Sequence, residues 1–227
     1  MSHILDRPVW TALGSSHADF AESNGLARRY PVSVIPFASV GDDEPESYAA
    51  LAQLTQPGDT CFIVQAAHLP VALPRELTAS FDAPVTQMIA DRLMPEIDDP
   101  RIRPLTEDDA AEMFALADLT KPGPFTHRAQ ALGTFYGVKE KGRLIAMAGV
   151  RFRHPGLHEV SGVCTHPDVR GQGLGRLMME FMCGKIYAAG DRPFLHTFSD
   201  NARAIALYEK LGFKVRSPMH VTAFRRT

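Results

Sequence analysis

One stretch constrains this chain more than any other: Val160-Ser161-Gly162-Val163-Cys164-Thr165-His166-Pro167-Asp168-Val169-Arg170-Gly171-Gln172-Gly173-Leu174-Gly175-Arg176. It reads as strand, glycine-rich loop and helix in that order. Pro167 restricts the residue before it and marks the end of the β-branched run. Gly171, Gly173 and Gly175 stand at alternate positions, where missing side chains leave backbone N–H groups unshielded. Leu174, Leu177, Met178 and Phe181 then recur at helical spacing. Unpaired N–H donors at the positive end of a helix dipole attract anions. The stretch is therefore an anion-cradling loop, and the question is which anion.

Length and charge narrow the choices. The 227 residues suffice for one large domain or two small ones with a buried core. A net charge of −2 argues against nucleic acid or an anionic membrane as partner. Cys61, Cys164 and Cys183 are odd in number and not at metal spacing, so the expectation is reduced thiols, no metal and a cytoplasmic chain. No apolar run reaches the roughly 18 residues of a membrane span. Met1-Ser2-His3-Ile4-Leu5-Asp6-Arg7-Pro8 holds no signal-peptide core.

Residues 1–97 read as an N-terminal α/β domain. Trp10, Phe20 and Leu26 belong to a helical opening, and Val32–Phe37 alternates like an edge strand. Asp43 with Glu46 resembles a capping box for a helix with Tyr48, Leu51, Ala52 and Thr55 on one face. Cys61–Val64 and Gln87–Ala90 read as short strands. Met94–Pro100, polar and bounded by prolines, reads as the linker to a second domain, 98–227.

The second half is more regular. Ile102–Leu105 is a strand, and Thr106 with Asp109 caps a helix carrying Ala110, Met113, Phe114 and Ala117. Residues 134–138 and 143–152 form an antiparallel hairpin. A strand at 158–165 leads into the glycine loop and a helix over 174–189. A strand follows at 194–197. Ala204, Leu207, Tyr208 and Leu211 share one face of a helix that Gly212 ends. Strands at 213–215 and 220–224 close a mixed α/β order.

Spacing excludes two phosphate loops. A P-loop needs Gly-Lys-Ser/Thr entering the helix, and here Arg176-Leu177 follows Gly175. A dinucleotide fingerprint counted from Gly171 and Gly173 needs a glycine at Arg176. What stands there is Arg170-x-x-Gly173-x-Gly175 after a strand. In this the chain resembles the GNAT superfamily of acyl-CoA-dependent N-acyltransferases. A second signature stands in the expected order, Asn201-Ala202-Arg203-Ala204-Ile205-Ala206-Leu207-Tyr208-Glu209-Lys210-Leu211-Gly212-Phe213. Glu159–Pro167 and Leu119–Phe125 resemble the branch related to glycine N-acyltransferases.

The resemblance implies a central, mostly antiparallel twisted sheet flanked by helices, with 1–97 as a degenerate copy that lacks the glycine loop. It implies acetyl-CoA as co-substrate, with its pyrophosphate on Arg170, Gly171, Gln172, Gly173, Leu174, Gly175 and Arg176. The pantetheine arm adds to the strand edge at Val163, Cys164 and Thr165, and the Val163 N–H polarises the thioester carbonyl. Tyr208 protonates the leaving thiolate and Glu159 takes the amine proton. Asn201 contacts the coenzyme arm, Arg203 the nucleotide phosphate, and His127 with Phe125 the acceptor. Cys164 has no base partner, so transfer is direct. The expected reaction is acetylation of a primary amine on a small molecule or peptide; dimers are common in the family it resembles, which makes a homodimer possible, and the sequence does not fix the oligomeric state. The alternative is a non-catalytic acyl-CoA-binding or regulatory protein.

Overall fold

The computed structural model describes residues 3–226. In chain order the elements are α1 (Pro8–Leu13), β1 (Glu22–Asn24), β2 (Ala27–Arg29), β3 (Ala38–Val40), α2 (Pro45–Leu54), β4 (Thr60–Ala66), β5 (Leu77–Ala90), β6 (Ile102–Leu105), α3 (Ala110–Thr120), β7 (Phe135–Glu140), β8 (Arg143–His154), β9 (Leu157–Thr165), α4 (Leu174–Ala188), β10 (Arg192–Phe198), α5 (Ala202–Lys210) and β11 (Phe213–Arg226). They form two compact units. One holds the chain up to Gln87, Thr197–Asn201 and the chain from Val215 on; the other holds Met88–His196 and Ala202–Lys214. The division runs through β5, β10 and β11 and does not fall at residue 97.

The stretch read as a linker is packed. Met94 is buried in the core of the second unit. Gly184 on α4 makes room for Pro95 and Glu96, because a Cβ there would lie 2.5 Å from the Pro95 carbonyl oxygen. Lys185 Nζ holds Glu96 Oε1 at 2.8 Å. Polarity and prolines suggested a free segment, but a glycine on a facing helix lets such backbone lie close.

In the first unit, β1, β2 and β3 make a small antiparallel sheet, and β4 pairs antiparallel with β11 from Thr60–Arg225 to Ala66–Met219. The α2 face buries Tyr48, Leu51 and Ala52 as its periodicity predicts. No Asp43–Glu46 box opens it; Asp42 accepts from the Glu44 N–H and the Ser47 hydroxyl instead. Val32–Phe37 is not a strand. The Pro31 carbonyl accepts from the Val34 and Ile35 N–H groups, a turn, and β3 starts only at Ala38. Leu26 is exposed between β1 and β2 rather than helical. Strands β5 and β11 are each 14 residues long. Pro84 and Pro218 interrupt their patterns, which is why the sequence shows only fragments of them.

In the second unit β10, β9, β8, β7 and β6 lie side by side. All neighbours run antiparallel except β9 and β10, which are parallel. The pleat divides β8 between two cores. Met147 joins Met113, Leu116 and Ala117 of α3. Ala146, Ala148 and Val150 join Met178, Met179, Met182 and Ile186 of α4. Each such fully buried Met, Leu or Ile contributes about 1.5–3 kcal/mol. In the turn Glu107–Asp109 that leads into α3 the Thr106 N–H donates to Asp109 at 2.8 Å, so the pair closes the turn before the helix, and no side chain caps α3 itself.

Candidate active site

The site is built around β9. It pairs with β10 only at Leu157–Arg192, His158–Pro193 and Glu159–Phe194. Beyond Glu159 it continues to Thr165 paired only to β8, as far as Thr165–Ala146. The backbone groups of residues 160–165 on the β10 side are therefore an open strand edge. Cys164 opposes Met147 and Ser161 opposes Gly149, so Gly162 and Val163 face Ala148 alone. Such a bulge takes the backbone of the extra residue out of the ladder. Gly162 permits it with φ +60, and a Cβ there would stand 2.7 Å from the Phe135 ring.

The open edge runs directly into the glycine loop. A short turn at Pro167–Val169 leads to Arg170, which is exposed. Gly171 and Gly173 have φ +84 and +80, with open space where a Cβ would be. No side chain caps α4, and its first helical bond is Leu177 N–H to the Gly173 carbonyl at 2.9 Å. The N–H groups from Gly173 to Arg176 therefore have no partner within the helix. Gln172 is exposed and Leu174 buried. Gly175 lies over Thr165, 3.3 Å from its Oγ1 if given a Cβ. Arg176 is exposed in the first turn of α4, and its Nε meets Glu180 Oε1 at 2.9 Å along the helix.

Tyr208 lies on the packed face of α5 against the core, its ring 6.1 Å from Phe213. Burial, with Cys183 nearby, raises its pKa, so the hydroxyl stays protonated and able to donate. Arg203 is exposed in the first turn of α5. Asn201 immediately precedes that helix, and its N–H donates to the Phe198 carbonyl. Burial drives the Cys164 thiol up to about 12, which disqualifies it as a nucleophile.

Glu159 sits where β9 and β10 part, but it is not open to a substrate. It is 0 % exposed. Arg151 forks onto both of its oxygens, Nη2 to Oε1 at 2.6 Å and Nε to Oε2 at 2.9 Å. His196 Nδ1 lies 2.7 Å from Oε1. Burial alone would push this carboxyl up; Arg151 and His196 outweigh it and bring it down to about 2. A carboxylate so acidic and so enclosed is a poor proton acceptor, and the expectation that it serves as the base is corrected on that ground. Sequence reasoning missed Arg151 and His196. The available signal was Arg151 itself, a charge placed within the apolar run of β8, where charges occur almost only as pairs.

His127 stacks on Phe114 with ring centroids 4.1 Å apart. It lines a cavity of about 740 Å³ with Thr106, Glu107, Arg128, Gln130 and Arg153. The Oε1 of Gln130 is buried there without a hydrogen-bond partner. Phe125 packs edge-on to Phe135 at 5.5 Å and covers Gly162 instead of lining the cavity. Among the described residues no group of His, Cys, Asp or Glu could hold a metal ion, and no helix is long and apolar enough to cross a membrane.

Comparison with known proteins bears on this arrangement. The family described as the acetyltransferase (GNAT) family matches residues 94–213. The N-alpha-acetyltransferase RimI of Mycobacterium tuberculosis is 28 % identical over 108 residues, 46 % of this chain and 67 % of that protein. A crystal structure of a GNAT-family protein from Novosphingobium aromaticivorans is 42 % identical, covers 100 % of both chains and superposes with a TM-score of 0.92. A GCN5-related N-acetyltransferase from Kribbella flavida shares the fold at 16 % identity and TM-score 0.59, covering 95 % of each chain.

Proposed function

Because this chain belongs to the GNAT acetyltransferase family, we propose that it moves an acetyl group from acetyl-CoA directly to a primary amine of a small molecule or peptide. The observation that carries this reading is the open edge of β9 running into an uncapped, glycine-lined helix N-terminus. Acetyl-CoA supplies the acyl group and a thiol leaving group. A pyrophosphate suits several converging N–H donors, which Gly171 to Gly175 offer beside Arg170. An amide-bearing arm suits a strand edge, at Val163, Cys164 and Thr165. The Val163 N–H is assigned to the developing oxyanion, Tyr208 to the thiolate and Arg203 to the nucleotide phosphate.

On the acceptor side, likeness to RimI favours an α-amine. The strings that suggest the glycine N-acyltransferase branch adjoin in space at one point: Phe125 covers Gly162, its ring 3.5 Å from where a Cβ would stand. That supports a small acceptor placed under the 121–125 loop. The first unit is proposed as a degenerate copy, since β3–α2–β4 repeats a strand–helix–strand order without a glycine loop. Thiol release from acetyl-CoA, measured against amino acids, polyamines, aminoglycosides and short peptides, tests the activity. Tyr208→Phe should lower turnover about 100-fold or more while acetyl-CoA affinity holds. Unchanged turnover would leave only a coenzyme-binding protein.

A further inference from the structure

We propose that the cavity walled by Gln130, Arg128 and Arg153 holds the acceptor, and that the acceptor is a short peptide with a free carboxylate, its amine toward Gly162 and its carboxylate on the two arginines. This rests on the acetyl-transfer reading and names the substrate class for it. The glycine loop and the cavity lie at opposite ends of β8. Arg143, its first residue, meets Asp168 in the turn that enters the loop, Nη2 to Oδ2 at 3.1 Å. Arg153, next to its last residue, lines the cavity. Coenzyme and acceptor therefore reach the middle of the strand from two sides. Phe135 joins the cavity to that middle. It lines the cavity and opposes Gly149. Its ring stands 2.7 Å from where a Cβ on Gly162 would be. Val163, to which the acyl oxygen is assigned, is the next residue.

The charges of the wall select the ligand. It carries two guanidinium groups, Arg128 and Arg153, and one carboxylate, the exposed Glu107. A further ammonium, as on a polyamine or an aminoglycoside, meets net repulsion there. A carboxylate suits the planar fork of an arginine. Each guanidinium has five N–H donors, so it holds a ligand carboxylate beside any protein partner.

Gln130 sets a second requirement. Its Oε1 is buried in the wall and accepts no hydrogen bond among the described residues. Such an oxygen is costly until a donor meets it, and the amide N–H of a peptide is a donor. The strand sets the length. Gly149 and Arg153 stand four residues apart on β8, about 13 Å. The arginine side chain covers part of that, and the remaining ~10 Å matches about three extended residues.

The test compares three acceptors at fixed acetyl-CoA. They are trialanine, trialaninamide, which keeps the amine and lacks the carboxylate, and spermidine. The kcat/KM for trialanine should exceed that for each of the others about tenfold or more. Arg128→Gln should bring the ratio of trialanine to trialaninamide to within about threefold of one. Gln130→Met removes an oxygen that the fold leaves unpartnered, so the melting temperature should hold or rise while KM for trialanine rises about threefold or more. Calorimetry of the unchanged chain with coenzyme A present should show the same preference between the two peptides. Equal kcat/KM for the two peptides, a preference for spermidine, an unchanged ratio in Arg128→Gln, or a lower melting temperature with unchanged KM in Gln130→Met overturns the assignment. If no amine releases thiol while calorimetry shows the trialanine preference, the acetyl-transfer reading falls and the cavity keeps its ligand. Equal binding of the two peptides, or none, overturns the assignment of the cavity whatever the turnover.

Discussion

The two ends of β9 do different work by different means. From Val160 to Thr165 the strand offers backbone: an unpaired edge, a bulge at Gly162 and the glycine turns that follow. At Glu159 it offers a side chain with no exposure, held by Arg151 and His196. A backbone site depends on conformations that only some residues allow. A buried charge cluster depends on the identity of every member, since removing one strands the others.

The largest effect should follow Arg151→Met, which leaves Glu159 buried with its main counter-charge gone; about 3–5 kcal/mol of stability should disappear, read from denaturant unfolding. A variant as stable as the parent would place this end among ordinary surface ion pairs. Next comes acid. The folded pKa of Glu159 is lowered from 4.5 to about 2, so its contribution is complete above pH 4.5 and is lost as pH falls through about 2. Glu159→Gln should flatten the stability curve across that window, with stability at neutral pH lower than in the parent.

At the backbone end the effects should be smaller and should fall on binding. Gly173 has φ +80 with nothing near its absent Cβ, so Gly173→Ala meets strain and no clash, about 1–2 kcal/mol. Acetyl-CoA affinity by calorimetry should drop about tenfold. Equal affinity would show that the loop does not need the left-handed turn to hold its ligand. Smallest of all is Arg176→Ala, which loses an exposed i,i+4 pair with Glu180 worth about 0.3–0.5 kcal/mol. Coenzyme affinity should change less than about threefold, and a larger change would return Arg176 to the anion site.

Much of the backbone end was legible in the sequence. Glycine spacing, the Pro167 boundary and the stripe from Leu174 onward are relations among neighbours along the chain, and they placed the loop and α4. The Thr106–Asp109 pair and the Tyr48 face of α2 were legible for the same reason. The long strands β5 and β11 were not, because Pro84 and Pro218 break the local pattern while sheet partners keep the strand extended. Met94–Pro100 looked free because nothing near it in the chain announces Gly184.

By itself, the sequence determined the order of elements from β6 to α5, the glycine loop and the signature helix with Tyr208. Tertiary structure alone decided what Glu159 is for. Its neighbours along the chain, His158 and Val160, say nothing of Arg151, eight residues back, or His196, thirty-seven ahead. A one-residue change of register between β8 and β9, and three rungs shared with β10, bring those charges together. A carboxylate's readiness to take a proton depends on what surrounds it in space.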